Sequence, residues 1–221
     1  MSSGIPYNFI SIEGNIGSGK TTLCKRLSQE ENAELILEEF TDNPFLKNFY
    51  ENPDRYGLQV ELFFLSERYK QLSTFPIGKD LFDNLYISDY MFVKSLLFAM
   101  KNLSGHEMSL FRRIFDMVET NLPTPDIVFY LYRPVDQLLQ LIKKRNRPYE
   151  QNIRADYLEG IQSSYLSYFE ALRDIPVVVI DCQDLDFENK EADWAYIKQL
   201  TTGKFNSGVN YRGPRGNPLF E

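Results

Sequence analysis

The residues most able to do chemistry are Gly14-Asn15-Ile16-Gly17-Ser18-Gly19-Lys20-Thr21, which match the phosphate loop G-x-x-x-x-G-K-[S/T] at every fixed position. Such a loop turns several backbone N–H groups inward, and the helix that follows adds its positive end. Lys20 then neutralises β- and γ-phosphate oxygens, and the Thr21 hydroxyl is offered to Mg²⁺. The context fits. Tyr7 to Ile12 is apolar and β-branched, a buried strand, while Leu23 and Leu27 lie four apart, as on one face of a helix.

Further along, acidic and basic groups recur where strands or helices end. Glu38 and Glu39 close a second strand beginning at Ala33, and carboxyl ends of parallel strands are where such folds bind ligands. Leu85 to Ser88 is a third strand, ended by Asp89, which can hold Mg²⁺, cap the next helix, or do both. Glu61 and Arg68 are seven apart on a helix from Tyr56 to Leu72, hence on one face beside its apolar stripe, where they either pair with each other or meet a ligand. Lys143, Lys144, Arg145 and Arg147 end another helix, a solvated basic terminus or a lid whose arginines close over a triphosphate. His106 is the single histidine, and we read it as a loop residue, which leaves little support for histidine chemistry.

These groups need elements to position them. Strands at Asp126–Tyr132 and Pro176–Ile180 raise the count to five, each separated by amphipathic helices, so the pattern predicts an α/β fold with one parallel sheet flanked by helices. At 221 residues, 43% of them hydrophobic, the chain suits a single domain. The boundary is expected near residue 203, the lid at about 143–152, and 204–221 as a flexible, glycine-punctuated tail. A net charge of −7 argues against a general nucleic-acid binder. Two distant cysteines, no charged and apolar leader in Met1 to Pro6, and no long apolar run predict a cytoplasmic protein without a membrane span.

Taken together the motifs resemble the deoxynucleoside kinases, in particular the bacterial deoxyadenosine/deoxyguanosine kinase branch. They are Glu13 to Leu23, Glu38-Glu39 with Asn43-Pro44-Phe45-Leu46, Phe63 to Leu72, Ile87-Ser88-Asp89-Tyr90 and Lys144 to Gln151, in order across residues 7 to about 200. The resemblance implies a P-loop NTPase fold with an arginine-bearing lid and transfer of the ATP γ-phosphate to a deoxynucleoside 5′-hydroxyl, with Mg²⁺. It implies ATP binding by Gly14, Asn15, Ile16, Gly17, Ser18, Gly19, Lys20, Thr21 and Thr22, and catalysis by Glu39 as base with Lys20, Arg145 and Arg147. Substrate contacts fall on Glu39, Tyr50, Glu61, Arg68, Asp89 and Glu150, Tyr50 and Glu150 gripping the 3′-hydroxyl. Thr21 and Asp89 are the metal-facing pair. A carboxylate at position 61 accepts from guanine N1–H and its 2-amino group, or from an adenine amino group, and so points to a purine.

One departure stands out. Family members commonly carry an arginine after the third-strand acid, where this chain has Tyr90; Lys94, about one helical turn on, is the candidate replacement. The resemblance also implies a homodimer, through helices 90–101 and 106–121. Two other readings compete: a nucleoside-monophosphate kinase, which would want more cations around its acceptor than Glu39, Glu61 and Glu150 leave, and an ATP-binding module without turnover.

Overall fold

The computed structural model describes residues 4–38, 43–74 and 84–213. A sheet of six strands forms its centre: β1 (Phe9–Gly14), β2 (Glu34–Ile36), β3 (Tyr86–Ser88), β4 (Ile127–Tyr132), β5 (Pro176–Asp181) and β6 (Gly208–Arg212). Every neighbouring pair is parallel, and the order across the sheet is β2-β3-β1-β4-β5-β6. Because parallel strands need long crossovers, the helices must cover both faces.

Period-two alternation divides the core. Val128 and Tyr130 of β4, with Val177 and Val179 of β5, face one layer, where they meet Leu65, Phe111, Phe115, Tyr165 and Phe169. Those partners come from helices α3 (Pro53–Ser73), α5 (Gly105–Glu119) and α7 (Ala155–Ala171), with α4 (Lys94–Asn102) beside them. Ile127, Phe129 and Leu131, with Val178 and Ile180, face the opposite layer of α1 (Lys20–Glu31) and α8 (Glu191–Thr201), meeting Leu23, Leu27, Trp194 and Ile197. Each such fully buried aliphatic side chain contributes roughly 1.5–3 kcal/mol by leaving water. The remaining helices, α2 (Leu46–Glu51) and α6 (Val135–Arg145), border the upper edge. Leu138 and Ile142 of α6 pack on Ile153 and Leu158, which seats the basic end of α6 above the sheet.

The chain winds from β1 outward to β2, returns through β3, and then crosses to β4, so strand order reverses around β1. That reversal opens a crevice at the carboxyl ends of β1 and β3, where Ser88 pairs with Ser11 and β1 runs three residues further to Gly14. Among the described residues no helix is long and apolar enough to cross a membrane.

Three expectations change. The sheet has six strands where five are predicted, because Gly208–Arg212 pairs in register with Pro176–Ile180. The same pairing removes 208–212 from the expected flexible tail and carries the folded domain past residue 203. Its cause is a short alternation: Val209 and Tyr211 pack against the main core layer, and Gly208, at φ 87°, turns the chain into the edge while its N–H bonds Ile175. Residues 214–221 lie outside the described residues. The third concerns His106, which stands exposed in the first turn of α5 and not in a loop. Truncation after Asn206 is expected to lower the melting temperature by on the order of 5–10 °C relative to truncation after Gly213, since only the former strips the β5 edge. Equal melting curves for the two truncations would show that β6 adds no stability.

Candidate functional site

The loop after β1 has the strained geometry that phosphate binding needs. Gly17 and Gly19 adopt φ 84° and 98°, and a Cβ on either would lie 2.9 Å from Ile142 or Phe187. Lys20 folds back under the loop, its Nζ donating to the carbonyls of Gly14 (2.8 Å) and Asn15 (2.9 Å). Burial, with the neighbouring ammonium of Lys94 next in weight, lowers the Lys20 pKa to about 8. Arg133 braces the loop from β4: its Nε donates to the Ser18 carbonyl (3.2 Å), and its other nitrogens hold the carbonyls of Cys182 and Leu185. Sequence reasoning passed over Arg133, whose only signal was a cation between a strand and a helix-starting proline.

Asp89, at the end of β3, ties three segments together. Its Oδ2 accepts from the Thr21 hydroxyl at 2.7 Å, and its Oδ1 accepts from the Glu38 N–H at 2.7 Å. Hydroxyl and carboxylate oxygens beside a phosphate loop are the donors a hard divalent ion takes, so this pair fits Mg²⁺. Beneath it Glu13, wholly buried, accepts from the Met91 N–H (2.7 Å) and the Tyr165 hydroxyl (2.9 Å), fixing the turn from β3 into α4. Burial raises the Glu13 pKa against the pull of Lys94.

Glu38 is the centre of charge. Arg68 grips its Oε1 through Nε (2.9 Å) and Nη2, and the Lys94 ammonium meets Oε2 at 2.7 Å. Burial pushes this carboxyl up, but Lys94 and Arg68 outweigh it and hold the group well below the usual carboxylate range. Glu61 and Arg68, expected on one face of α3, do share it, but do not bond each other. Arg68 turns to Glu38 and to the Ser95 hydroxyl (2.8 Å), while Glu61 Oε1 accepts from Asn102 Nδ2 at 2.6 Å. Burial raises the Glu61 pKa to about 7. Glu39 lies outside the described residues.

Above the crevice Arg145 ends α6, and Asn146, at φ 56°, breaks the helix so that Arg147 leads into the short 3-10 turn Pro148–Glu150. Both arginines converge on Glu150, Arg147 Nη1 at 3.2 Å. The ring of Tyr50 stacks on Tyr149 beside them (6.1 Å between centroids, 18° between planes).

Two clefts result. One is lined by Glu38, Tyr50, Glu61, Arg68, Lys94, Asn102 and Glu150; the other runs from Gly17–Thr22 past Arg133 and Gln137 to Leu185–Asn189. Gly17, Lys20, Thr21, Arg145 and Arg147 border both. A phosphate loop shared by two clefts, one of them carrying the carboxylates Glu38, Glu61, Asp89 and Glu150 among its cations, defines a P-loop phosphotransferase class, with donor triphosphate on one side and acceptor on the other.

Comparison with known proteins narrows the class. The family model for deoxynucleoside kinases matches residues 10–203. A deoxyguanosine kinase of Bacillus subtilis (strain 168) is 35% identical over 206 residues, covering 87% of this chain and 97% of its own. The deoxyadenosine/deoxycytidine kinase of the same organism is 29% identical, covering 85% and 88%. The structure of a deoxyadenosine kinase from M. mycoides with bound dATP superposes with a TM-score of 0.74 at 23% identity, over 88% of this chain and 99% of that one, a likeness of fold. This chain belongs to the deoxynucleoside kinase family.

Because the ammonium form of Lys20 pairs with phosphate, ATP affinity is expected to fall as pH rises through about 8. Calorimetry near that pH should then detect proton uptake on ATP binding, and Lys20→Ala should abolish the uptake. Binding without any proton uptake would contradict the perturbed lysine.

Proposed function

We propose that the protein transfers the γ-phosphoryl group of ATP to the 5′-hydroxyl of a purine deoxynucleoside, with the base supplied by one of the consecutive glutamates Glu38 and Glu39 that follow β2 in the sequence. The observation that carries this reading is the Glu38 carboxylate, held in the acceptor cleft beside Lys20, Thr21 and Asp89. Glu38 lines that cleft, whereas Glu39, the base that the resemblance implies, lies outside the described residues; on the described geometry we assign the proton-accepting role to Glu38.

Arg68 and Lys94 keep Glu38 ionised, and an ionised carboxylate has lone pairs left to accept the 5′-hydroxyl proton. A loose phosphoryl-transfer transition state asks little basicity of that group, so orienting the hydroxyl is its main task. As the 5′-oxygen bonds to phosphorus and the bond to the ADP oxygen breaks, the proton passes to the carboxylate and charge spreads over the transferring oxygens. Lys20 and the loop N–H groups neutralise it, joined by Arg145 and Arg147 when they leave Glu150. Thr21 and Asp89 would hold a Mg²⁺ ion, which neutralises phosphate charge when bound. Tyr50 and Glu150 border the acceptor cleft and suit a sugar 3′-hydroxyl.

The purine assignment rests on the relatives' substrates and on the carboxylate at position 61. A homodimer through α4 and α5 is supported by the exposed apolar side chains Met100, Leu110 and Met117. Free, buried Cys24 and Cys182 suit a reducing cytoplasm.

ATP consumption should appear with purine deoxynucleosides and be absent with nucleoside monophosphates alone; the reverse pattern would overturn the reading. Glu38→Gln should lower kcat by a factor on the order of 10² to 10⁴ while nucleoside binding persists. If Glu39→Gln carries that loss and Glu38→Gln does not, the base is Glu39.

A further inference from the structure

Arg133 follows β4 and precedes α6, and only 6% of it is exposed. A charge taken out of water is costly unless an opposite charge meets it. The partners of Arg133 are all neutral. Its Nε donates to the Ser18 carbonyl (3.2 Å), Nη1 to the Cys182 carbonyl and to Gln137 Oε1 (3.3 Å), and Nη2 to the Leu185 carbonyl (2.9 Å). Among the described residues no carboxylate forms an ion pair with it. Oriented carbonyl dipoles ease the burial of a guanidinium, but they leave its net positive charge intact.

Other cations around the phosphate loop differ in this respect. Arg68 and Lys94 are held by Glu38, and Arg145 and Arg147 by Glu150, so each is already met by a carboxylate. Arg133 is not. It borders the donor cleft together with Ser18, Lys20 and Leu185. The Phe187 ring lies 5.7 Å from the guanidinium and packs on the loop, where a Cβ on Gly19 would come within 2.9 Å of it, so the charge is backed by an apolar wall. Water screens a charge in such surroundings less than one at the surface. Asp186 and Glu188 line the same cleft, but Glu188 is exposed and Asp186 accepts from Asn189 Nδ2 (2.9 Å).

We propose that Arg133 is a further triphosphate-binding residue, a fixed positive charge beside the phosphate loop whose counter-ion is the polyphosphate of the donor. In a chain of net charge −7 a polyphosphate has to be drawn by local charge, and this one is permanent and already in place. Most of its N–H groups are spent on carbonyls, so it acts chiefly through its field and not through a bidentate grip. The fork and the charge then do separate things: the fork ties Ser18 to Cys182 and Leu185, and the charge sets affinity for the anion. The inference rests on the reading of this cleft as the ATP side.

The test is calorimetric binding of ATP and of inorganic tripolyphosphate to the full chain and to Arg133→Gln and Arg133→Lys, with melting temperatures alongside. Arg133→Gln should weaken both ligands by a factor on the order of 10, and the fall of ATP affinity with added salt should become shallower. Arg133→Lys should melt earlier, because an ammonium cannot span the same carbonyls, yet bind both ligands within about threefold of the native chain. Unchanged affinities in Arg133→Gln overturn the proposal. So does a loss for ATP that tripolyphosphate does not share, which would place the effect at the nucleoside end, and so does an equal loss in both variants, which would make Arg133 a brace alone. Should Arg133→Gln fail to fold, Arg133→Lys decides: a lower melting temperature with affinity kept supports the charge role, and parallel losses overturn it. A native chain that binds neither ligand removes the donor reading of the cleft and this inference with it. Binding without turnover of any nucleoside removes the kinase reading and leaves the assignment of Arg133 standing.

Discussion

The site depends on one arrangement of buried charge: a single carboxylate, Glu38, shared between the guanidinium of Arg68 and the ammonium of Lys94. Removing charges from water is expensive, and such a cluster persists only when each group has partners of opposite sign and good geometry. Here the partners come from three places in the chain, the end of β2, the middle of α3 and the first turn of α4. Holding them together fixes how those elements meet. The Glu38 N–H bonds Asp89, Asp89 bonds Thr21, and so the same cluster sets the distance from the acceptor cleft to the phosphate loop.

Lys94, four residues after Tyr90, brings an ammonium to Glu38, which supports the proposal that it stands in for the arginine the resemblance implies at position 90. Tyr90 is fully buried, its hydroxyl donating to Gln71 at 2.5 Å, so that position is structural here. The ammonium of Lys94 enters four residues later, at the start of α4. Its cost is visible on Lys20, whose pKa is lowered partly by this second ammonium. Two lysines facing one pocket make an incoming polyphosphate more favourable than either alone, since the ligand relieves a repulsion already present.

Much of this was legible because it is local. The phosphate loop is written in consecutive residues, and Asp89 announces itself by following a short apolar strand. Spacing places Glu61 and Arg68 on one helical face, but their separate partners, Asn102 for the one and Glu38 for the other, are not legible from it. Spacing reports which side chains share a face and is silent about a third group arriving from another segment. Glu38 and Glu39 are adjacent in the sequence just past β2, and residue type alone does not say which of two neighbouring carboxylates serves a cleft. The sixth strand escaped notice because its alternation, Val209 and Tyr211, is two residues long and set among glycines.

That strand has a consequence for how the chain is made. β5 reads Pro-Val-Val-Val-Ile-Asp, buried along nearly its whole length once β6 lies against it. During synthesis the ribosome delivers β5 well before β6, with α8 in between. Throughout that interval the outer side of β5 is an apolar strand with unpaired backbone donors and acceptors, the kind of edge on which nascent chains associate. Gly208–Arg212 therefore acts as an intramolecular shield, and growth temperature and translation speed, which set how long the edge stays bare, bear on how much of the protein reaches its folded form.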